Sequence, residues 1–108
     1  MGSHRPDAAG RMDHRIEIAD PFARRLLNRY LERRKADLAQ LRAALADKNY
    51  ASIELTGHNL SGSGAAYGLE QVSALGAALE TAAQSAEAEE IGQLVDQLEN
   101  FIDGVTVA

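Results

Sequence analysis

Apolar residues recur at spacings of three and four along most of the chain, the pattern of helices that keep one side toward a core. Asp20-Pro21 suits a helix start, because an Asp side chain can cap free amides and proline tolerates the first helical position. From there to residue 46, Leu27, Leu31, Leu38, Leu41 and Leu45 form a stripe with Phe22 and Tyr30 beside it, while Arg24, Arg25, Arg29, Arg33, Lys35 and Arg42 take the remaining surface. Asp47-Lys48-Asn49 is a polar break. A second helix is predicted over 50–67, with Ile53, Thr56, Gly57, Leu60, Gly64 and Tyr67 on one side, and Gly68 can end it in the left-handed conformation. A third, over 69–84, turns Val72, Leu75, Gly76, Leu79, Ala82 and Ala83 inward and leaves Glu70, Glu80 and Gln84 largely outside that stripe. Residues 85–88 are a connection or opening turn, and the last helix runs to about residue 103 with Ile91, Leu94, Val95, Leu98, Phe101 and Ile102 inward and Gly104 as its stop.

Four amphipathic helices with short connections predict an all-α fold, an antiparallel up-down-up-down four-helix bundle over residues 20–108. Residues 1–19 mix charge with Gly and Pro and show no sustained period, so a flexible tail or linker segment is expected there, with Ile16 and Ile18 able to fold back as a short apolar anchor.

Composition agrees. The 108 residues suit one domain, and alanine and leucine outweigh aromatic and β-branched residues, which favours helices over sheet. With no cysteine there is neither a disulfide framework nor a thiol nucleophile, and no apolar run approaches the ~20 residues of a membrane span. A cytoplasmic, monomeric protein that binds neither membrane nor nucleic acid is the expectation. The net charge of -5 conceals a division: every Lys and Arg precedes position 49, whereas residues 49–108 hold nine acidic residues and no basic ones. That second half does not suit nucleic acid and favours a partner with a basic rim.

The second helix carries the unusual chemistry. His58 lies about 140° from the centre of the apolar side, and Glu54, Ser61, Gly62 and Ala65 share its outward face. Glycine within a helix costs roughly 1 kcal/mol against alanine, so helix stability does not explain the three glycines after the histidine, Gly62, Gly64 and Gly68. Imidazole keeps a neutral, nucleophilic form available around physiological pH. The small residues beside His58 leave room for another protein surface.

The run His58-Asn59-Leu60-Ser61-Gly62-Ser63-Gly64-Ala65-Ala66-Tyr67-Gly68, followed by Leu79-Glu80, resembles the histidine-containing phosphotransfer (HPt) domain of multistep two-component phosphorelays. With the helix order, the likeness covers about residues 20–103. It implies a four-helix bundle in which His58 accepts a phosphoryl group from a receiver-domain aspartate and passes it to another receiver. The chain is then a phosphoryl carrier rather than an enzyme, with receiver domains and a hybrid histidine kinase as partners. Gly62 corresponds to the small residue that admits the receiver, and Gly68 to the glycine at the helix junction. No cofactor is expected on this chain; the receiver supplies the carboxylate and Mg²⁺.

The family commonly has lysine three positions after the histidine, and Ser61 stands there, offering a neutral hydrogen bond in place of a cation. Cationic support must then come from the partner or from the first helix, where Arg34, Lys35 and Arg42 are nearest in register. Two other readings are weighed. A metal site at Glu54 and His58, one turn apart, lacks a second histidine ligand in the predicted helices. A non-catalytic adaptor that binds a signalling partner through the His58/Gly62 face is the stronger rival, because of Ser61.

Overall fold

The computed structural model describes residues 14–107, which contain four helices and two short strands in the order β1 (His14–Ile16), α1 (Pro21–Ala46), α2 (Tyr50–Ala66), α3 (Glu70–Gln84), α4 (Ala88–Gly104) and β2 (Val105–Val107). The mostly helical character agrees with the periodicity. At the start of α1 the Asp20 side chain accepts from the Phe22 amide at 3.0 Å, and at the start of α2 Asn49 accepts from the Ser52 amide at 3.2 Å.

The three helix connections share one geometry. Lys48, Gly68 and Ala86 each adopt positive φ, at 56°, 74° and 52°. After each, the next amide reaches back five residues: Asn49 to the Ala44 carbonyl at 2.8 Å, Leu69 to Gly64 at 2.7 Å and Glu87 to Ala82 at 2.9 Å. This closes the last turn of each helix by satisfying a carbonyl that would otherwise lack a partner. Gly68 adopts the left-handed conformation freely, whereas Lys48 and Ala86 do so against the preference of L-residues.

The core consists of the inward stripes. Leu41, Ile53, Leu60, Val72, Leu79, Ile91, Val95 and Leu98 are almost fully buried, and Leu45 and Leu75 pack partly buried against them. Two expected core residues lie elsewhere. Phe22 is 60% exposed because it falls on the outward side of α1 with Arg29 and Arg33, about 140° from Leu27, and Tyr67 is 44% exposed as the residue that caps α2. Tyr67 instead stacks on Tyr30, with ring centroids 4.3 Å apart. Contacts run in reverse order between α1 and α2, where Tyr30 and Arg34 meet Tyr67 and Ser63, and between α2 and α3, where Glu54, His58 and Ser61 meet Gln84, Glu80 and Ser73.

The ends of the described chain depart from an all-helical fold. β1 pairs in parallel with β2, His14 opposite Val105 and Ile16 opposite Val107. Ile16 and Ile18 pack against the core with Val105 and Val107, so the segment expected as tail contains an ordered apolar anchor over residues 14–18. The rest of the expected tail, residues 1–13, lies outside the described residues.

Candidate functional site

The site begins with how closely α2 and α3 approach. A Cβ added to Gly57 would lie 2.7 Å from both the Glu80 amide nitrogen and the Gly76 carbonyl oxygen. One added to Gly76 would come 2.5 Å from the Ser61 nitrogen, and one added to Gly64 would come 2.6 Å from the Ser73 nitrogen. These glycines let backbone meet backbone, a distance no side chain permits. Ser73 Oγ reinforces the contact by donating to the Ser61 carbonyl at 2.8 Å.

That approach places Glu80 of α3 beside His58 of α2. The imidazole is 70% exposed, and its Nδ1 is 3.2 Å from Glu80 Oε2. An ionised carboxylate can only accept, so the contact assigns the hydrogen to Nδ1. In the neutral ring the lone pair then resides on Nε2. The contact favours that tautomer from a neighbour on another helix.

The other expected site residues surround this pair unevenly. Glu54, one turn before His58, accepts from Gln84 Nε2 at 3.0 Å and is turned toward α3. Gly62, one turn after His58, is exposed, and a Cβ there would meet nothing within 4 Å. Ala65 is exposed one turn further on, Ser61 is half-buried, and Gly68 stands at the α2–α3 junction. Among the described residues Gly62 therefore has no packing duty, unlike Gly57, Gly64 and Gly76.

The three candidate cations form their contacts away from His58. Arg42 bridges to Asp96 at 3.1 Å and to Glu99, both on α4, and these carboxylates raise its already high pKa. Lys35 pairs with Glu32 at 3.3 Å. Arg34 lies over the Tyr30 ring, 4.4 Å from its centroid, and its Nη1 donates to Ser63 Oγ at 3.4 Å. Its Nε is 2.9 Å from Asp37 Oδ2, an ion pair by distance whose alignment falls short of a hydrogen bond. Burial raises the Asp37 carboxyl pKa, and Arg34 only partly offsets that shift. α2, α3 and α4 contain no Lys or Arg, and the charged side chain that His58 contacts is the carboxylate of Glu80.

Glu80 is the site residue that residue-by-residue reading leaves unassigned. Its signal is register: folding α3 back on α2 about the 67–69 connection sets it opposite His58. Among the described residues, no group of three or more His, Asp or Glu side chains is arranged to hold a metal ion, and no helix is long and apolar enough to cross a membrane.

The family model of the Hpt domain matches residues 25–106, which include all of α2, α3 and α4 and most of α1. Comparison with curated proteins and with solved structures finds no significant match. With the match spanning most of its length, the chain belongs to the Hpt domain family, the phosphotransfer carriers of two-component phosphorelays.

Proposed function

We propose that His58 is the phosphoacceptor, and that it takes its phosphoryl group from a receiver-domain aspartyl phosphate and gives it to another receiver. The observation that carries this reading is the exposed imidazole whose Nδ1 faces Glu80 at 3.2 Å, leaving Nε2 with the lone pair. In the step, Nε2 attacks phosphorus, an N–P bond forms, and the P–O bond to the aspartate breaks with its electron pair leaving on the carboxylate. The ring becomes cationic with the proton still on Nδ1, where Glu80 stabilises it. Return transfer reverses each change. The receiver supplies the carboxylate and its Mg²⁺, and this chain supplies the nucleophile.

On this reading an antiparallel up-down-up-down bundle presents the nucleophile as a cytoplasmic monomer. Open space at Gly62 and Ala65 admits the receiver, and Glu54 and Ser61 border the docking face. Arg34, Lys35 and Arg42 have partners elsewhere, so the cation facing the phosphoryl oxygens comes from the receiver.

The experiment incubates the chain with a phosphorylated receiver and Mg²⁺ and looks for acid-labile, alkali-stable phosphate. Label is expected on the wild type and absent from His58→Gln. Label that persists in His58→Gln would move the nucleophile elsewhere. No label from any of a broad set of receivers would favour an adaptor that binds through the same face.

A further inference from the structure

The outward side of α1 holds a second surface. Arg25, Arg29 and Arg33 stand at successive four-residue steps, and Phe22 and Leu26 fall within the same arc of about 100°. All five are exposed, Phe22 by 60% and Leu26 by 37%. Like charges four residues apart oppose a helix, and the exposed faces of Phe22 and Leu26 gain nothing from folding, so the outer surface of the stripe does not stabilise α1. Among the described residues the three arginines form no ion pair, whereas Arg24 donates to the Ile18 carbonyl, Arg34 pairs with Asp37, Lys35 with Glu32 and Arg42 with α4.

We propose that this stripe is a docking site for an acidic amphipathic helix of a partner protein, with carboxylates along the arginines and apolar residues on Phe22 and Leu26. Guanidinium groups bind carboxylates through paired, directed hydrogen bonds, and the stripe from Phe22 to Arg33 runs for about 16 Å, three turns of a facing helix. Its width argues against a broader polyanion. The arginine row is flanked on one side by Glu32 and ended one turn past Arg33 by Asp37, each held by another cation. A bilayer or nucleic acid would be pressed against those carboxylates, against a net charge of -5. Residues 1–13 contain two arginines and two aspartates, so they carry no complementary charge. The inference is independent of phosphotransfer at His58.

The test titrates the isotope-labelled full chain with a synthetic helical peptide of about fifteen residues, glutamates at four-residue spacing beside a leucine edge. A peptide with lysine for each glutamate is the control. Saturable amide shifts are expected at residues 22–33, with affinity falling about tenfold or more in R25E/R29E/R33E and several-fold in F22S/L26S. Both variants should keep the wild-type circular dichroism, because the replaced side chains are exposed. Equal binding of the lysine peptide, shifts centred on another face, or full affinity in F22S/L26S would overturn the proposal. So would tighter binding to phosphatidylserine-containing vesicles, which assigns the stripe to lipid, or concentration-dependent self-association lost in the arginine variant, which assigns it to a second copy.

Discussion

Gly62→Ala separates two uses of glycine in α2. At Gly62 an added Cβ meets nothing within 4 Å, so alanine brings its helix propensity of about 1 kcal/mol without a clash. For a domain of this size that is a rise in Tm of roughly 4–8 °C. At Gly76 the same methyl would lie 2.5 Å from the Ser61 nitrogen and 2.7 Å from the Gly57 carbonyl oxygen, backbone atoms held by their own helix. Overpacking of about 3 kcal/mol, less about 1 kcal/mol of propensity, leaves Gly76→Ala destabilised by about 2 kcal/mol. Function should divide the other way. Gly62→Leu fills the space one turn past His58 and is expected to slow transfer from a phosphorylated receiver about tenfold, roughly 1.4 kcal/mol, while the fold stays intact. Thermal unfolding by circular dichroism and single-turnover transfer are the two assays. If Gly62→Ala lost as much stability as Gly76→Ala, the packing argument would be wrong. If Gly62→Leu transferred at the wild-type rate, the open space would have no part in docking.

Glu80→Ala removes the acceptor for Nδ1–H; transfer is expected to fall roughly tenfold, the worth of a charge-assisted hydrogen bond of about 1.5 kcal/mol. Its ring nitrogen-15 shifts should change from one tautomer to a mixture, and an unchanged tautomer would refute the positioning role. Asp37→Asn tests the burial of that carboxyl. Because burial raises its folded pKa above 3.8, ionisation works against the fold, and stability falls as pH rises through the folded value. Asparagine mimics the protonated acid, so the variant should be the more stable at pH near 7, with the gap closing as pH drops below about 3.8 in urea titrations. A less stable variant at neutral pH would show that the Arg34 pair outweighs burial. Ser61→Lys adds a cation one turn from His58 and should lengthen the phosphohistidine half-life severalfold, up to about 1 kcal/mol for an exposed pair; an unchanged half-life would remove cation shortage as the reason for lability.

The helices were legible because each carries a long apolar stripe, and the exposed side of α2 followed from the same angles. Two residues depart from that expectation. Phe22 falls on the outward side of α1 with Arg29 and Arg33, and Tyr67 follows the last helical residue, where stacking on Tyr30 replaces burial. At the connections Gly68 announced its left-handed conformation, whereas Lys48 and Ala86 adopt it with no residue-level signal. The β1–β2 ladder joins three-residue segments from opposite ends of the described chain, too short to show a period and dependent on the finished bundle. Glu80 needed the register of two helices, which no single-helix pattern contains.

The same register makes Glu80 matter in two opposed ways on the proposed reading. Its carboxylate holds Nδ1–H and stabilises the ring when that ring becomes cationic, which assists attack by Nε2. Once the phosphoryl group is attached, the same negative charge lies near its oxygens, and α2, α3 and α4 offer no Lys or Arg to balance it. Lysine at position 61 would offset that repulsion from within the chain; Ser61 leaves the offset to the receiver. A phosphoryl group on His58 is then better stabilised with a receiver docked than in the free domain, which favours passing it on over storing it. The open step at Gly62 is where the receiver's cation can enter, since nothing among the described residues occupies it.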